Sequence, residues 1–397
     1  MREMKDSGVE WLGEVPAEWG VVPGKRILTL LQRPVEDGDG VVTCFRDGEV
    51  TLRANRRTEG FTIALKEIGY QGVEPGDLVV HGMDGFAGSI GISDSRGKAS
   101  PVLNVMGSDQ NKRFLMYYMR GLAYRDVYMA LSDGIRVRSC NLSWKKIGNL
   151  PFVLPPLPVQ SRIADYLDEK CAEVDRAVSA AEQSIEELSS YRSARLEEAI
   201  AKVSHEAPLE KLKYVLKESK DKSPDGIGEP LSITIARGVL RSAELSIPNP
   251  TSSLVGAKVV HAGDLVFNKL KAYYGVMYVS PYTGLISPEY AVYQAIDAEN
   301  TSLKYLEYVF HTAAVIDEFI IRISGVADGF RRLYTSDLFD IAVPVPSIEA
   351  QRNIVAELDE LSASIAESTE AKQAIIAGLK AYKQSLIYET VTGKREV

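Results

Sequence analysis

The residues of this chain best suited to chemistry are cations in loops. Arg53, Arg56 and Arg57 fall in TLRANRRTEG, Lys98 follows a Gly, and Arg136, Arg138, Lys145 and Lys146 fall in IRVRSCNLSWKK. The second half repeats the theme with Lys220 and Lys222, then Asn268, Lys269, Lys271, Tyr273 and Tyr274 in FNKLKAYYG, then Arg331 and Arg332. Arg and Lys neutralise phosphates, and Arg and Asn also read base edges through paired hydrogen bonds. Any one of these charges is as readily an ordinary solvated group. Their grouping in loops between strand-like runs, in both halves, points to nucleic acid.

Catalytic patterns are missing. There is no phosphate-binding G-x-x-x-x-G-K-S/T loop, no H-E-x-x-H and no Cys/His cluster, and His81, His205, His261 and His311 lie far apart. The glycines of HGMDGFAGSIG recur every third residue, which is a turn-rich loop rather than a dinucleotide cradle. Ser89 has Gly88 directly before it, so the spacing of a nucleophile elbow fails. LPPLP lacks the polar first residue of the tetrapeptide that amino-methyltransferases use. Three scattered cysteines, Cys44, Cys140 and Cys171, form no disulfide framework, so a reducing cytoplasm is expected. No apolar run approaches a membrane span, and MREMKDSGVEW lacks the core of a signal peptide.

The net charge of −8 argues against a simple nucleic-acid binder, but its distribution matters more. Residues 21–150 hold 18 basic and 14 acidic residues; residues 157–206 hold 6 and 11. A basic head could approach a polyanion while an acidic stretch stayed away.

Two long elements must position these loops. From Pro155 to Lys202, apolar residues recur in steps of four and three at Ile163, Leu167, Cys171, Val174, Val178, Ala181, Ile185 and Leu188. That is a coiled-coil seam on a helix of about 60 Å, too long to bury its stripe without a partner. The partner pattern runs Ile354, Leu358, Leu361, Ile365, Ser368, Lys372, Ile375, Leu379, Tyr382, Leu386, with Ser368 and Lys372 as polar interruptions. Gln160, Ile163, Leu167 and Asp168 recur at the same spacing as Gln351, Ile354, Leu358 and Asp359. Gly76-Asp77-Leu78-Val79 recurs as Gly263-Asp264-Leu265-Val266, and Asp133-Gly134-Ile135-Arg136 as Asp328-Gly329-Phe330-Arg331. Three matches in one order establish an internal duplication.

The expected architecture is α+β: two mixed α/β domains in tandem pseudo-repeat, separated by two long helices that pair. The expected boundaries are an arm over 1–20 packing on the helices, a first domain over 21–156, a helix over 157–206, a second domain over 207–346, and a helix and tail over 347–397. LSITIARGVL reads as one strand.

This order resembles the specificity subunit of type I restriction–modification systems. WLGEVPAEW, GDLVFNKLKAYYG, the D-G-x-R pairs and the two P-x-P…Q-x-x-I-x-x-x-L-D helix openings carry the resemblance, over essentially the whole chain. The first half departs from it, placing His81 opposite Asn268 and Asp84 opposite Lys271. The resemblance implies that each globular domain is a target-recognition domain reading one half of a split site in double-stranded DNA. It implies an antiparallel coiled coil that sets the spacing, and no catalytic activity in this chain. Partners would be modification (methyltransferase) subunits, which would bring S-adenosylmethionine, and a restriction (motor-nuclease) subunit; no cofactor is expected on this chain. The DNA-binding candidates are then Arg53, Arg56, Arg57, Lys98, Arg136, Arg138, Lys145, Lys220, Lys222, Asn268, Lys269, Lys271, Tyr273, Arg331 and Arg332. The alternative is a non-catalytic coiled-coil scaffold without DNA readout, which the overall acidity favours slightly.

Overall fold

A computed structural model describes residues 2–56, 67–131, 141–235, 237–245, 254–323 and 332–397. Both D-G-x-R tetrapeptides, together with Arg57, Arg136, Arg138, Cys140 and Arg331, lie outside those residues. The chain divides into two compact units. The first combines Met1–Glu182 with Gln373–Val397, and the second is Gln183–Lys372.

Each unit is built on a four-stranded antiparallel sheet. In the first, the spatial order is Thr29–Leu30, Leu103–Gly107, Leu78–His81, Ile90–Ile92. In the second it is Leu216–Glu218, Ala291–Ala295, Leu265–Phe267, Met277–Val279. The smaller strand pairs also correspond. Gly20–Pro23 joins Pro151–Leu154 as Leu209–Lys211 joins Ala342–Pro344. Val42–Cys44 joins Val50–Leu52 as Leu231–Thr234 joins Gly238–Arg241. The duplication is therefore one of topology. LSITIARGVL is consequently a hairpin rather than one strand: Leu231–Thr234 pairs with Gly238–Arg241, and Gly238, where the returning strand begins, sits at φ +67°, a conformation glycine takes without strain.

The shared GDLV motif is a turn device. Gly76 and Gly263 sit at φ +85° and +96°. The Asp77 carboxylate accepts from Glu74 N at 2.8 Å, and Asp264 accepts from His261 N at 2.8 Å. The apolar residues that follow lie in the sheet cores, with Leu78, Val79, Leu265 and Val266 fully buried. The motif fixes a strand entrance and presents no free chemistry.

Leu157–Ser204 and Ile348–Val391 are the two long helices. They run antiparallel. In the first unit Asp175 pairs with Lys383 at 2.6 Å and Glu182 with Lys380 at 3.2 Å; in the second, Glu357 pairs with Arg195 at 2.7 Å. Ile163, Leu167, Val174, Val178, Ile354, Leu358 and Leu386 are buried. Ile185, Leu188, Leu361, Ile365 and Leu379 are half-buried, as a seam covered mainly by one partner helix must be. The second seam departs from the expected line. Ile375 and Tyr382 are 57% and 47% exposed, and Ile376 and Lys383 turn inward instead. The step after Lys372 is four rather than three, so these two positions move by one residue while Leu379 and Leu386 keep their expected places.

The helix openings repeat contact for contact. Buried Gln160 accepts from Asn111 N at 3.0 Å and donates to Pro155 O at 2.8 Å. Buried Gln351 accepts from Ser302 N at 2.8 Å and donates to Pro346 O at 2.8 Å. Tyr117 donates to Asp168 at 2.7 Å, and Tyr308 to Asp359 at 2.6 Å. In the first unit, Trp19 is buried in the core that also takes Leu386, Ile387 and Val391, while Lys394 donates to Leu12 O at 3.0 Å.

Candidate nucleic-acid interface

In the second unit, Asn268 ends a core strand and Lys269–Tyr274 forms a short 3-10 segment after it. The Asn268 side chain accepts from Leu270 N at 3.1 Å, so its amide oxygen is committed to holding this turn. Lys269 N ζ lies 3.8 Å from Glu218, and burial holds its pKa below the usual lysine range. Glu218 is the hub. It also accepts from Lys258 at 2.7 Å and Thr335 at 2.6 Å, and despite partial burial these partners hold its pKa down. Lys271 is exposed, 5.5 Å from the Tyr274 ring centre, and Tyr273 packs on Tyr274 at 4.3 Å. Leu333 N donates to Lys269 O at 3.1 Å, bringing Arg332, paired with Glu289, into the same neighbourhood. The structure thus assembles Asn268, Lys269, Lys271, Tyr273 and Arg332.

In the first unit a polar cleft of about 670 Å³ is lined by Phe45, Arg46, Arg56, His81, Asp84 and Ser89, among others. Arg56 donates to Asp47 at 2.8 Å and Glu49 at 2.7 Å and stacks 4.4 Å from the Phe45 ring centre. Its hydrogen bond to the Asp47 carboxylate raises its pKa. Arg53 donates to Thr43 at 3.2 Å. Lys98 pairs with Glu67 at 2.6 Å. A phosphate would have to replace a carboxylate at Arg56, Lys98 or Arg332. Lys145, Lys220 and Lys222 are exposed, with no side-chain partner among the described residues.

His81 and Asn268 differ in type yet do one job. The His81 N δ1 accepts from Asp84 N at 3.0 Å, as the Asn268 amide accepts from Leu270 N. The proton of the neutral imidazole therefore sits on N ε2, and burial keeps the His81 pKa low.

Sequence reasoning passed over Arg46, Glu218 and Arg237, and set His311 aside as one of four scattered histidines. The repeat offset of 191 residues between Gln160 and Gln351 also pairs Arg120 with His311, which was the available signal.

A chain from a structural study of complex assembly and conformational transition in the type I R-M system superposes with a TM-score of 0.70 at 16% identity, over 96% of this chain and 99% of that one. The HsdS subunit from Thermoanaerobacter tengcongensis gives 0.52 at 16% identity, over 96% and 98%. In sequence, the chain is 20% identical over 429 aligned residues to the type I restriction enzyme EcoKI specificity subunit of Escherichia coli (strain K12), covering 96% of this chain and 90% of that protein. No protein-family model matches. The likeness to type I specificity subunits read from the residues is borne out, in sequence and in fold, over 96% of the chain.

Proposed function

We propose that this chain is the DNA-specificity subunit of a type I restriction–modification complex. Each unit reads one half of a bipartite target, and the paired helices set the gap between the half-sites. The observation that carries this reading is a scaffold whose Gln160/Gln351 and tyrosine–Asp168/Asp359 hydrogen bonds recur in both units, on which the loops differ in charge and shape. Two equal frames with unlike faces suit two readers of unlike sequences. The exposed cations Lys145, Lys220, Lys222 and Lys271 are the first candidates for phosphate contacts, with Arg53, Arg56, Lys269 and Arg332 engaging DNA by exchanging their present partners. The chain performs no catalysis. Modification subunits supply S-adenosylmethionine and the methylation chemistry, a restriction subunit joins for cleavage, and the complex works in the cytoplasm. No helix among the described residues is long and apolar enough to cross a membrane.

The test is methylome sequencing of cells carrying this chain with its neighbouring methyltransferase, against cells lacking the chain. A new methylated motif of two defined parts and an unspecified gap is expected. Removing one heptad from each helix should then alter the gap and leave both parts unchanged. No new motif, with the methyltransferase expressed and bound, would overturn the reading in favour of a scaffold.

A further inference from the structure

The second unit holds a cleft of about 650 Å³, lined by Arg192, Arg237, Tyr274, Tyr278, Glu307 and His311 among others. That is the size of a small-ligand pocket. The first unit shows how the same place looks when closed. There Arg120, the counterpart of His311, donates to Asp47 O at 2.6 Å and to the Tyr124 hydroxyl at 2.8 Å. It lies so close to Gly48 that a Cβ there would stand 2.5 Å from the guanidinium. Gly91 closes the rest, since a Cβ on it would stand 1.9 Å from Gly48 O. In the second unit Tyr278 stands at the Gly91 position, its ring 3.3 Å from where a Cβ on Gly238 would be. Its hydroxyl is braced on Ile235 O at 2.5 Å, and its ring packs on His311 at 4.9 Å. A tyrosine has replaced a glycine and a short imidazole has replaced a long guanidinium, so the corner is propped open.

The charges have changed with the shape. Lys383, the first-unit counterpart of Arg192, is neutralised by Asp175; the residue matching Asp175 is Ala366. Arg192 accordingly makes no ion pair or hydrogen bond among the described residues. In the register of the two hairpins Arg237 stands where the first unit has Gly48, and among the described residues it faces one carboxylate, Glu244 at 3.9 Å. The cleft therefore has two under-neutralised guanidinium groups at its wall. Tyr274 adds a half-exposed ring. Glu307 is nearly buried, held by Lys304 at 2.7 Å and Val279 N at 2.6 Å, and its spare lone pairs can accept from an amine.

We propose that this cleft binds a nucleoside phosphate, with Arg192 and Arg237 on the phosphate and the tyrosine-lined wall against the base. Arginine forks suit phosphate oxygens, and aromatic rings accept any base by stacking. The nucleotide can come free from solution or as a unit of a nucleic-acid strand. The site stands on the second unit's own geometry and does not require the DNA-reading function.

The experiment is calorimetric titration of the full chain with deoxyadenosine monophosphate, with inorganic phosphate, and with a 5′-phosphorylated single-stranded oligonucleotide. Saturable mononucleotide binding at one site per chain is expected, with phosphate alone more than about tenfold weaker. Arg192→Ala and Arg237→Ala should each weaken it about tenfold. Lys170→Ala, on the first long helix and paired with Glu173, should leave it unchanged. His311→Arg should abolish it by rebuilding the first unit's closure; should that variant fail to fold, the two exposed arginines still decide. A strand that outcompetes the mononucleotide with the same arginine dependence makes nucleic acid the source, and the reverse order makes it the free nucleotide. No saturable mononucleotide binding, equal binding of phosphate, or binding unaltered in both arginine variants overturns the proposal. None of these outcomes bears on whether a bipartite methylation motif appears.

Discussion

The two units share a frame and differ at one corner. In the first, glycine meets backbone at Gly91 and Gly48, and Arg120 fills what remains. In the second, Tyr278 and His311 occupy the same positions and leave a cleft. The frame is fixed by buried polar side chains whose amide groups are committed: Gln160 and Gln351 each satisfy backbone groups from two segments. Such groups are costly to leave unpaired, so they resist change. The corner rests on packing and on exposed charge, where replacements cost less. Duplication followed by divergence keeps the expensive contacts and spends its variation on the rest.

That contrast can be broken most directly at Gly91. Gly91→Ala should destabilise the first unit by about 3 kcal/mol, because the added methyl has rigid backbone as its neighbour. Denaturant unfolding followed by hydrogen exchange at Ile90–Ile92 reads this, and a loss below about 1 kcal/mol would mean the corner is not closed by that contact. Next in size are Gln160→Ala and Gln351→Ala, expected to cost about 2 kcal/mol each and to match one another. Unequal losses would show that the two frames are not energetically equivalent.

A smaller effect concerns pH. Burial holds the His311 pKa below its ordinary value of 6.5. The Glu307 carboxylate and the Gly275 carbonyl oppose the shift, while Arg192 and Lys304 reinforce it. The unfolded chain then binds the proton first, so stability is full above about pH 6.5 and falls as pH drops through that value. His81 in the first unit behaves alike, with Asp84 opposing and Arg46 reinforcing. Melting curves from pH 7.5 to 5.5 should shift downward in wild type and less in a His311→Gln variant. A shift of the opposite sign would place the charged imidazole in the folded state.

The smallest expected difference separates Asp168→Ala from Asp359→Ala. Asp168 holds Arg113 as well as Tyr117, whereas Asp359 holds Tyr308, and Lys304, the counterpart of Arg113, has turned to Glu307. The Arg113 pair is exposed to solvent, so the extra loss at Asp168 should be about 0.5 kcal/mol. Equal losses would assign the whole effect to the tyrosines.

Much of the frame was legible because it is written in period and repetition. The four-three steps marked both long helices, and Gln-x-x-Ile-x-x-x-Leu-Asp marked their equivalence. Beyond Lys372 the seam was misread at Ile375 and Tyr382 and read correctly at Leu379 and Leu386; Ile375 and Ile376 are both apolar, and only packing chooses between them. The hairpin in LSITIARGVL was missed because Gly238 is the one turn-forming residue type in an otherwise strand-like run. The candidate contact residues were the least legible. Arg56, Lys98 and Arg332 read as free cations, but their neutralising partners, Asp47, Glu49, Glu67 and Glu289, come from other strands and loops. His81 and Asn268 looked like a change of function and are two ways of accepting a backbone N–H.

The nesting of the units has a consequence for how the polypeptide acquires its structure on the ribosome. Residues 183–372 form one uninterrupted span, so the second unit has all its parts before the final residues emerge. The first unit does not. Its core borrows Leu386, Ile387 and Val391, so the half translated earliest is the half completed last. Until those side chains arrive, the helix around Gly121, which packs against Tyr388, Ile387 and Val391, lacks part of its cover. Order of synthesis and order of maturation are thereby reversed, and a premature stop near residue 372 would release a chain with its second unit intact and its first unit unsealed.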